Sequence, residues 1–165
     1  MHLRLLVPVA VLALAAACAT NPVTGRRELN FMSEAQEISI AQESDPQIKE
    51  EMGVYNDPEL QRYVSEIGLR MAKVSERPQL PWRFTVVDVP AVNAFAVPGG
   101  GIYVTRGIIP FLDNEAELAG VIGHEIGHVT ARHSAQQYTR QITGQVGLLA
   151  LGMFLQALVA AQKLP

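Results

Sequence analysis

The sequence predicts an α+β fold in which helices pack on a small antiparallel sheet. Apolar residues recur at three- and four-residue steps after Asp57, which indicates an amphipathic helix. Short β-branched and aromatic runs between residues 83 and 105 indicate strands, and a second helical pattern begins at Asn114. Of the 165 residues, 48% are hydrophobic, which is enough for the core of one domain. The net charge of −3, without a basic block, argues against nucleic acid as a partner.

The first residues have the composition of an export signal. Residues 1–17 combine a positive charge at Arg4, an apolar run from Leu5 to Leu14 and three alanines before Cys18. The run is shorter than the about 20 residues that span a membrane, so we expect the signal to be cleaved. Cys18 is the only cysteine, and its position resembles the lipidated first residue of bacterial lipoproteins. We therefore expect lipidation there, with an ordinary signal peptide and an incidental cysteine as the alternative.

The next residues predict a linker followed by a helix. Residues 18–32 are turn-rich and are interpreted as the linker. Ser33 and Gln36 are spaced as a capping box, which predicts a helix through about Ser44. Pro46 is expected to stop or kink this helix, because proline cannot donate the next backbone hydrogen bond.

A second helix is predicted from Pro58 to about Ser75. Asp57 is a favourable N-cap, and proline is well suited to the first helical position. The apolar stripe consists of Leu60, Tyr63, Val64, Ile67, Met71 and Val74. We interpret this helix as a scaffold that covers the core.

Strands are predicted at Arg83 to Val89 and at Ile102 to Thr105. Between them, the stretch Asn93 to Gly101 contains Pro98 and three consecutive glycines, which favours an edge strand followed by a tight turn. An exposed edge could accept an extended peptide as a further strand. A plain hairpin without a binding role is the alternative.

The helix predicted from Asn114 to about Ser134 carries the motif HEIGH at residues 124–128. Two histidines four apart in a helix differ by only ~40° around the axis, so both rings project from one face. That spacing suits Zn²⁺, and Glu125 is placed to take a proton from a water on the same ion. The motif therefore predicts a zinc-dependent hydrolase with His124 and His128 as ligands and Glu125 as general base.

A stripe of small residues on the same helix predicts close packing against another element. Its members are Ala119, Gly120, Gly123 and Gly127. The alternative interpretation of the whole segment is a packed helix whose histidines only cap or form hydrogen bonds.

Taken together, the stretches CATNPVTGRRELNFMS, NAFAVPGGGIYVTRGII and HEIGH resemble the gluzincin family of HtpX-like and CAAX-prenyl-protease-like metallopeptidases. The likeness is greatest to the exported lipoprotein branch and covers Cys18 to about Gln145. It implies a zincin-like fold with one Zn²⁺, in which residues 33–165 form the N-terminal part of the peptidase domain. It also implies that Asn93, Ala94, Phe95 and Ala96 line the substrate cleft.

The resemblance further implies a third zinc ligand, a glutamate in an ExxxD-type motif, which we expect beyond Pro165, together with a downstream residue that stabilises the transition state. A catalytic zinc site needs three protein ligands and one open position. In a regular helix His133 lies about 180° from His124, so we expect it to remain outside the site. Glu117 lies ~10 Å along the axis from His124, which is too far to share the ion. We therefore expect the 165 residues to be part of a longer protein and to be inactive alone.

Apolar residues dominate the stretch Gly144 to Ala161. A core helix is the favoured interpretation, because the run is short for crossing a membrane. The two alternatives are a membrane-inserted segment and a helix beside the active site that dips into the lipid surface.

The function we predict is zinc-dependent endopeptidase action on unfolded or misassembled envelope proteins. By resemblance to bacterial lipoproteins, Ala19 after Cys18 implies anchoring at the periplasmic face of the outer membrane. The alternatives are a lipid-anchored chaperone or assembly factor without catalysis, and a structural zinc site. A structural site requires four protein ligands, and no second cysteine or suitably placed histidine is present to complete one.

Overall fold

The computed structural model describes residues 18–20, 23, 25–29 and 32–137. The predicted export signal at 1–17 and the apolar stretch Gly144 to Ala161 lie outside these residues. Within the described ranges, none of the helices has the length and apolar character required to cross a membrane.

The predicted linker 18–32 contains a short antiparallel ribbon. Strand β1 (Cys18–Thr20) pairs with β2 (Arg27–Leu29), with Cys18 opposite Leu29. The candidate lipidation residue therefore lies in the first described strand.

Helix α1 (Glu34–Met52) begins where the capping box predicts. Ser33 Oγ accepts from the Gln36 backbone N–H, and the Gln36 side chain accepts from the Ser33 backbone N–H. The predicted end near Ser44 is wrong, because α1 continues through Pro46 for six further residues to Met52.

Contacts around Asp45 explain why α1 crosses the proline. Lys49 Nζ and the Tyr103 hydroxyl each donate to Asp45 at 2.8 Å, so side chains support the helix where the proline removes a backbone bond. Burial is the largest single influence on Asp45 and opposes its ionisation, but these two hydrogen bonds and the nearby positive charges of Lys49 and Arg83 together lower the pKa of the carboxyl. A single lost backbone bond is thus insufficient to end the helix.

Helix α2 (Pro58–Ala72) is confirmed as predicted, apart from its last turn. Asp57 Oδ1 accepts from the Leu60 backbone N–H at 3.0 Å. The helix ends at Ala72, three residues before the predicted Ser75, and its buried face includes Val64 and Ile67.

The sheet consists of β3 (Arg83–Val87), β4 (Ala94–Val97) and β5 (Gly101–Thr105) in the spatial order β3-β5-β4. All three strands lie within or beside the predicted runs, but β3 ends at Val87 rather than Val89, and β5 begins at Gly101 rather than Ile102. The prediction of a purely antiparallel sheet is wrong for one pairing. Strand β3 runs parallel to β5, while β4 runs antiparallel to it.

Burial explains why β5 occupies the centre. Ile102, Tyr103 and Val104 are at most 1% exposed, whereas the four residues of β4 are only half-buried. A strand that is apolar on both faces is stable between two neighbours, so β5 inserts between β3 and the edge strand β4. In the turn before β5, Gly99 has φ 88°, and a Cβ there would meet the Glu37 carbonyl oxygen at 2.3 Å.

Helix α3 (Glu115–Thr130) carries the HEIGH motif and packs against β4, β5 and α2. Its buried residues Leu118, Ile122, Ile126 and Val129 join the core formed by α2 and the sheet. The fold is therefore α+β, as predicted, with the motif helix lying beside an edge strand.

Candidate metal centre

The motif helix begins at the predicted residue and ends earlier than predicted. Asn114 Oδ1 accepts from the Glu117 backbone N–H at 3.1 Å, and Glu117 Oε2 accepts from the Asp113 backbone N–H at 2.9 Å. The last α-helical residue is Thr130 rather than Ser134, and two turn residues separate it from a further helical segment at 133–137.

The two motif histidines point their Nε2 atoms towards the same place. His124 Nε2 and His128 Nε2 are 3.0 Å apart, and the ring centroids are 4.6 Å apart. His124 is exposed and His128 is half-buried, so the shared point lies at the surface of α3. The spacing therefore produces the paired imidazoles that the sequence predicts.

This pair fits a zinc ion. Two nitrogens bound to tetrahedral zinc at about 2.0–2.1 Å lie roughly 3.3 Å apart. The observed separation of 3.0 Å is within a few tenths of an ångström of that value. Small ring rotations would open the pair to ligand distance, and in the same geometry one ring can donate a hydrogen bond to the other.

Glu125 lies beside His124 in the wall of an open cavity of about 670 Å³. Glu117, Gly120 and Val121 from α3 line the same cavity, with Ile108 and Leu112 from the preceding loop. No hydrogen bond or ion pair joins the Glu125 side chain to another residue in the described part of the chain. Its carboxylate is therefore available to a molecule in the cavity.

The four residues expected to line the substrate cleft separate into two groups. Asn93 and Ala94 line the cavity together with His124 and Glu125. Phe95 stacks on Tyr103 with ring centroids 5.0 Å apart, and Ala96 lies near His128. Every second residue of a strand points to the same face, so Ala94 and Ala96 both pack against the core while Phe95 points to the opposite face. Ala96 shares its face with Ala94 but lies further along β4, beside His128 rather than beside His124 and Glu125.

The backbone of β4 offers a second means of binding. One edge of the strand pairs with β5, and within residues 32–137 no strand pairs with the other edge. An unpaired edge next to the cavity can form a ladder with an extended peptide.

His133 contacts His128, contrary to the prediction that it remains outside the site. Its Nδ1 lies 2.8 Å from His128 Nδ1, and the two ring centroids are 4.9 Å apart. The expectation assumed a regular helix, whereas Arg132 has φ 57° and turns the chain left-handedly after α3. The contact is made to the nitrogen opposite the shared Nε2 point, so His133 does not complete a three-ligand set.

A buried ion cluster of Glu37, Arg77 and Arg132 lies behind the end of α3, and sequence reasoning missed it. Arg77 donates to Glu37 Oε2 at 2.7 Å and to the Val129 carbonyl at 3.1 Å. Arg132 donates to the other Glu37 oxygen. Periodicity could have flagged only Glu37, as a charge at a buried position of α1, because its partners are 40 and 95 residues away.

Glu34 extends this cluster to the surface. The hydrogen bond from Arg77 Nη2, at 2.8 Å, is the main reason why the pKa of Glu34 lies below its usual value. The end of α3 is thus tied to the first turn of α1.

The small-residue stripe of α3 packs closely at one glycine only. A Cβ on Gly123 would lie 2.8 Å from the terminal methyl of Met71 in α2, as predicted for close packing. A Cβ on Gly120 or Gly127 would meet no atom within 4 Å. At these two positions the packing prediction is wrong, and Gly120 instead borders the cavity.

Comparisons with known proteins agree with this geometry. The model of peptidase family M48 matches residues 58–164. The chain is 37% identical over 140 residues to the mitochondrial metalloendopeptidase OMA1 of Schizosaccharomyces pombe, covering 80% of this chain and 41% of that protein. It is 32% identical over 141 residues to the beta-barrel assembly-enhancing protease of Escherichia coli, covering 81% of this chain and 29% of that protein. The chain thus spans less than half the length of either relative.

Proposed function

The chain belongs to peptidase family M48, and on that premise we propose that it supplies two zinc ligands and the general base of a zinc-dependent endopeptidase. The observation that carries the proposal is the convergence of His124 Nε2 and His128 Nε2 at 3.0 Å beside the free carboxylate of Glu125. His124 and His128 hold the metal through these nitrogens.

A zinc ion held there would polarise a peptide carbonyl and supply a water with a pKa of roughly 7. Glu125 accepts the proton of the attacking water and passes it to the departing amine. The α3 backbone holds His124 and His128 one turn apart, with Glu125 directly after His124, so little reorganisation is needed before reaction. A third ligand is still required, and none converges with the pair among the described residues. We assign it to a glutamate beyond Pro165.

The substrate is an extended polypeptide. It pairs with the open edge of β4, which carries Asn93 to Ala96, and one of its side chains enters the cavity bordered by Ile108, Leu112 and Val121. A folded protein seldom offers an extended segment with unpaired backbone, so unfolded or misassembled proteins are the preferred class. The apolar lining favours an apolar side chain next to the cleaved bond.

The setting we propose is the bacterial cell envelope. Lipidated Cys18 anchors the protein at the periplasmic face of the outer membrane after removal of residues 1–17. One relative is named as a beta-barrel assembly-enhancing protease, and this name supports a proteolytic role linked to protein assembly, which we propose to be quality control in the envelope.

Metal analysis of the purified full-length protein, together with cleavage of casein, tests this function. We expect one zinc per chain and cleavage that a chelator abolishes and added zinc restores. Replacing both His124 and His128 with alanine should remove metal and cleavage together. A protein that holds unfolded clients without binding zinc or cutting casein would instead be a non-catalytic chaperone or assembly factor.

A further inference from the structure

We propose that His133 is a positioning residue that fixes the ring orientation of the zinc ligand His128. The inference rests on the proposed function, because it concerns a residue behind the metal site. It is carried by the 2.8 Å contact between His133 Nδ1 and His128 Nδ1.

Metal binding through Nε2 would fix the tautomer of His128. Its Nε2 faces His124 at 3.0 Å, so this nitrogen must be unprotonated when it binds a metal. The ring proton of His128 is then on Nδ1, from where it can be donated to His133 Nδ1 at 2.8 Å. Metal-binding histidines commonly donate their second N–H in this way, and loss of the acceptor typically weakens metal binding by about 10- to 100-fold.

The backbone brings His133 to this position by leaving the helix. In a continued α-helix His133 would lie ~140° around the axis from His128. Instead α3 ends at Thr130, and Arg132 takes φ 57°, a conformation that is uncommon for a residue with a side chain.

Buried charge holds the left-handed turn in place. Arg132 donates to Glu37, which is 1% exposed, and to the Met32 carbonyl. Arg77 neutralises the same carboxylate from the other side. Because Glu37 belongs to α1, this helix determines where the turn places His133.

His133 acts through His128 rather than as a third ligand. The three rings contact one another in series, and His128 uses opposite nitrogens for its two neighbours. An ion bound between the two Nε2 atoms is therefore separated from His133 by the width of the His128 ring.

Zinc affinity of the full-length protein, measured by competition with a chromophoric chelator, tests the proposal. We expect His133→Ala to bind zinc about 10- to 100-fold more weakly than the wild type. His133→Asn, which places an amide oxygen where Nδ1 stood, should restore most of the affinity. Ser134→Ala, one residue further at an exposed position, serves as the matched control and should bind as the wild type does.

A spectroscopic measurement separates positioning from general stability. In zinc-loaded protein labelled with ¹⁵N-histidine, the Nδ1 proton of His128 should exchange slowly in the wild type and in His133→Asn, and rapidly in His133→Ala. Wild-type affinity in His133→Ala, or failure of His133→Asn to restore binding, would overturn the positioning role. If the positioning role fails but His124→Ala abolishes zinc binding in the same assay, the proposed metal site is still supported. A wild type that binds no zinc would contradict both the positioning role and the proposed function.

Discussion

Arg77 Nη1 lies 2.7 Å from Glu37 Oε2, and both side chains are almost completely buried, at 4% and 1% exposure. The pair joins α1 to the loop after α2. Through the Val129 carbonyl and Arg132, it also joins both elements to the end of the motif helix. The most buried charges of the described chain therefore lie directly behind the histidines.

Glu37→Ala should lower the free energy of unfolding by about 3–5 kcal/mol, because it leaves buried Arg77 without its main carboxylate partner. Urea denaturation followed by circular dichroism measures the change. Glu50→Ala, at an exposed position of the same helix, is the matched control and should stay within about 0.5 kcal/mol of the wild type. A loss below about 1 kcal/mol in Glu37→Ala would mean that Arg77 finds other partners.

The glycines of the motif helix should respond differently to alanine. Gly120→Ala should raise the free energy of unfolding by about 1 kcal/mol, because its Cβ enters open space and alanine favours the helix. Gly123→Ala is the comparison, and it should gain less because the Met71 methyl group has to move from 2.8 Å. Thermal or urea denaturation of both variants checks the order. Equal gains would show that Met71 moves away without cost.

Ionisation of the Tyr103 hydroxyl should make the free energy of unfolding depend on pH in the alkaline range. Burial and the hydrogen bond to Asp45 raise the pKa of its hydroxyl above the usual value near 10. The unfolded chain loses this proton near pH 10 while the folded protein retains it. The stabilisation by the hydroxyl is therefore complete below that pH and is lost as the pH rises towards the folded-state pKa.

Comparison of the wild type with Tyr103→Phe isolates this effect. We expect the wild type to be more stable by about 1.5 kcal/mol between pH 7 and 9, since its hydroxyl donates to a carboxylate. The difference should shrink above about pH 10. A constant difference up to pH 11 would contradict the raised pKa of Tyr103.

Local chemistry allowed much of this structure to be predicted. The side chains of Ser33, Asp57 and Asn114 form the caps that their sequence context indicates, and the HEIGH spacing places two imidazoles together. Each of these features depends on residues within four positions of one another, where helix geometry alone fixes the contact.

Features that depend on distant residues could not be predicted in the same way. Helix α1 crosses Pro46 because Tyr103, 58 residues from Asp45, supports the helix there. The left-handed turn at Arg132 depends on Glu37, 95 residues earlier, and without that contact a regular helix would keep His133 away from His128. In both places a tertiary contact overrides the local preference.

We propose that His124 and His128 hold a metal whose chemistry Glu125 completes. Glu125→Gln in the full-length protein tests it most directly, with zinc content and casein cleavage measured on the same sample. We predict one zinc per chain and a cleavage rate reduced by at least about 100-fold, because the amide cannot accept a proton. Glu115→Gln, in the first turn of the same helix, is the control and should cleave as the wild type does. Wild-type cleavage by Glu125→Gln would contradict the role of Glu125 as general base, and a wild type without bound zinc would contradict the metal site.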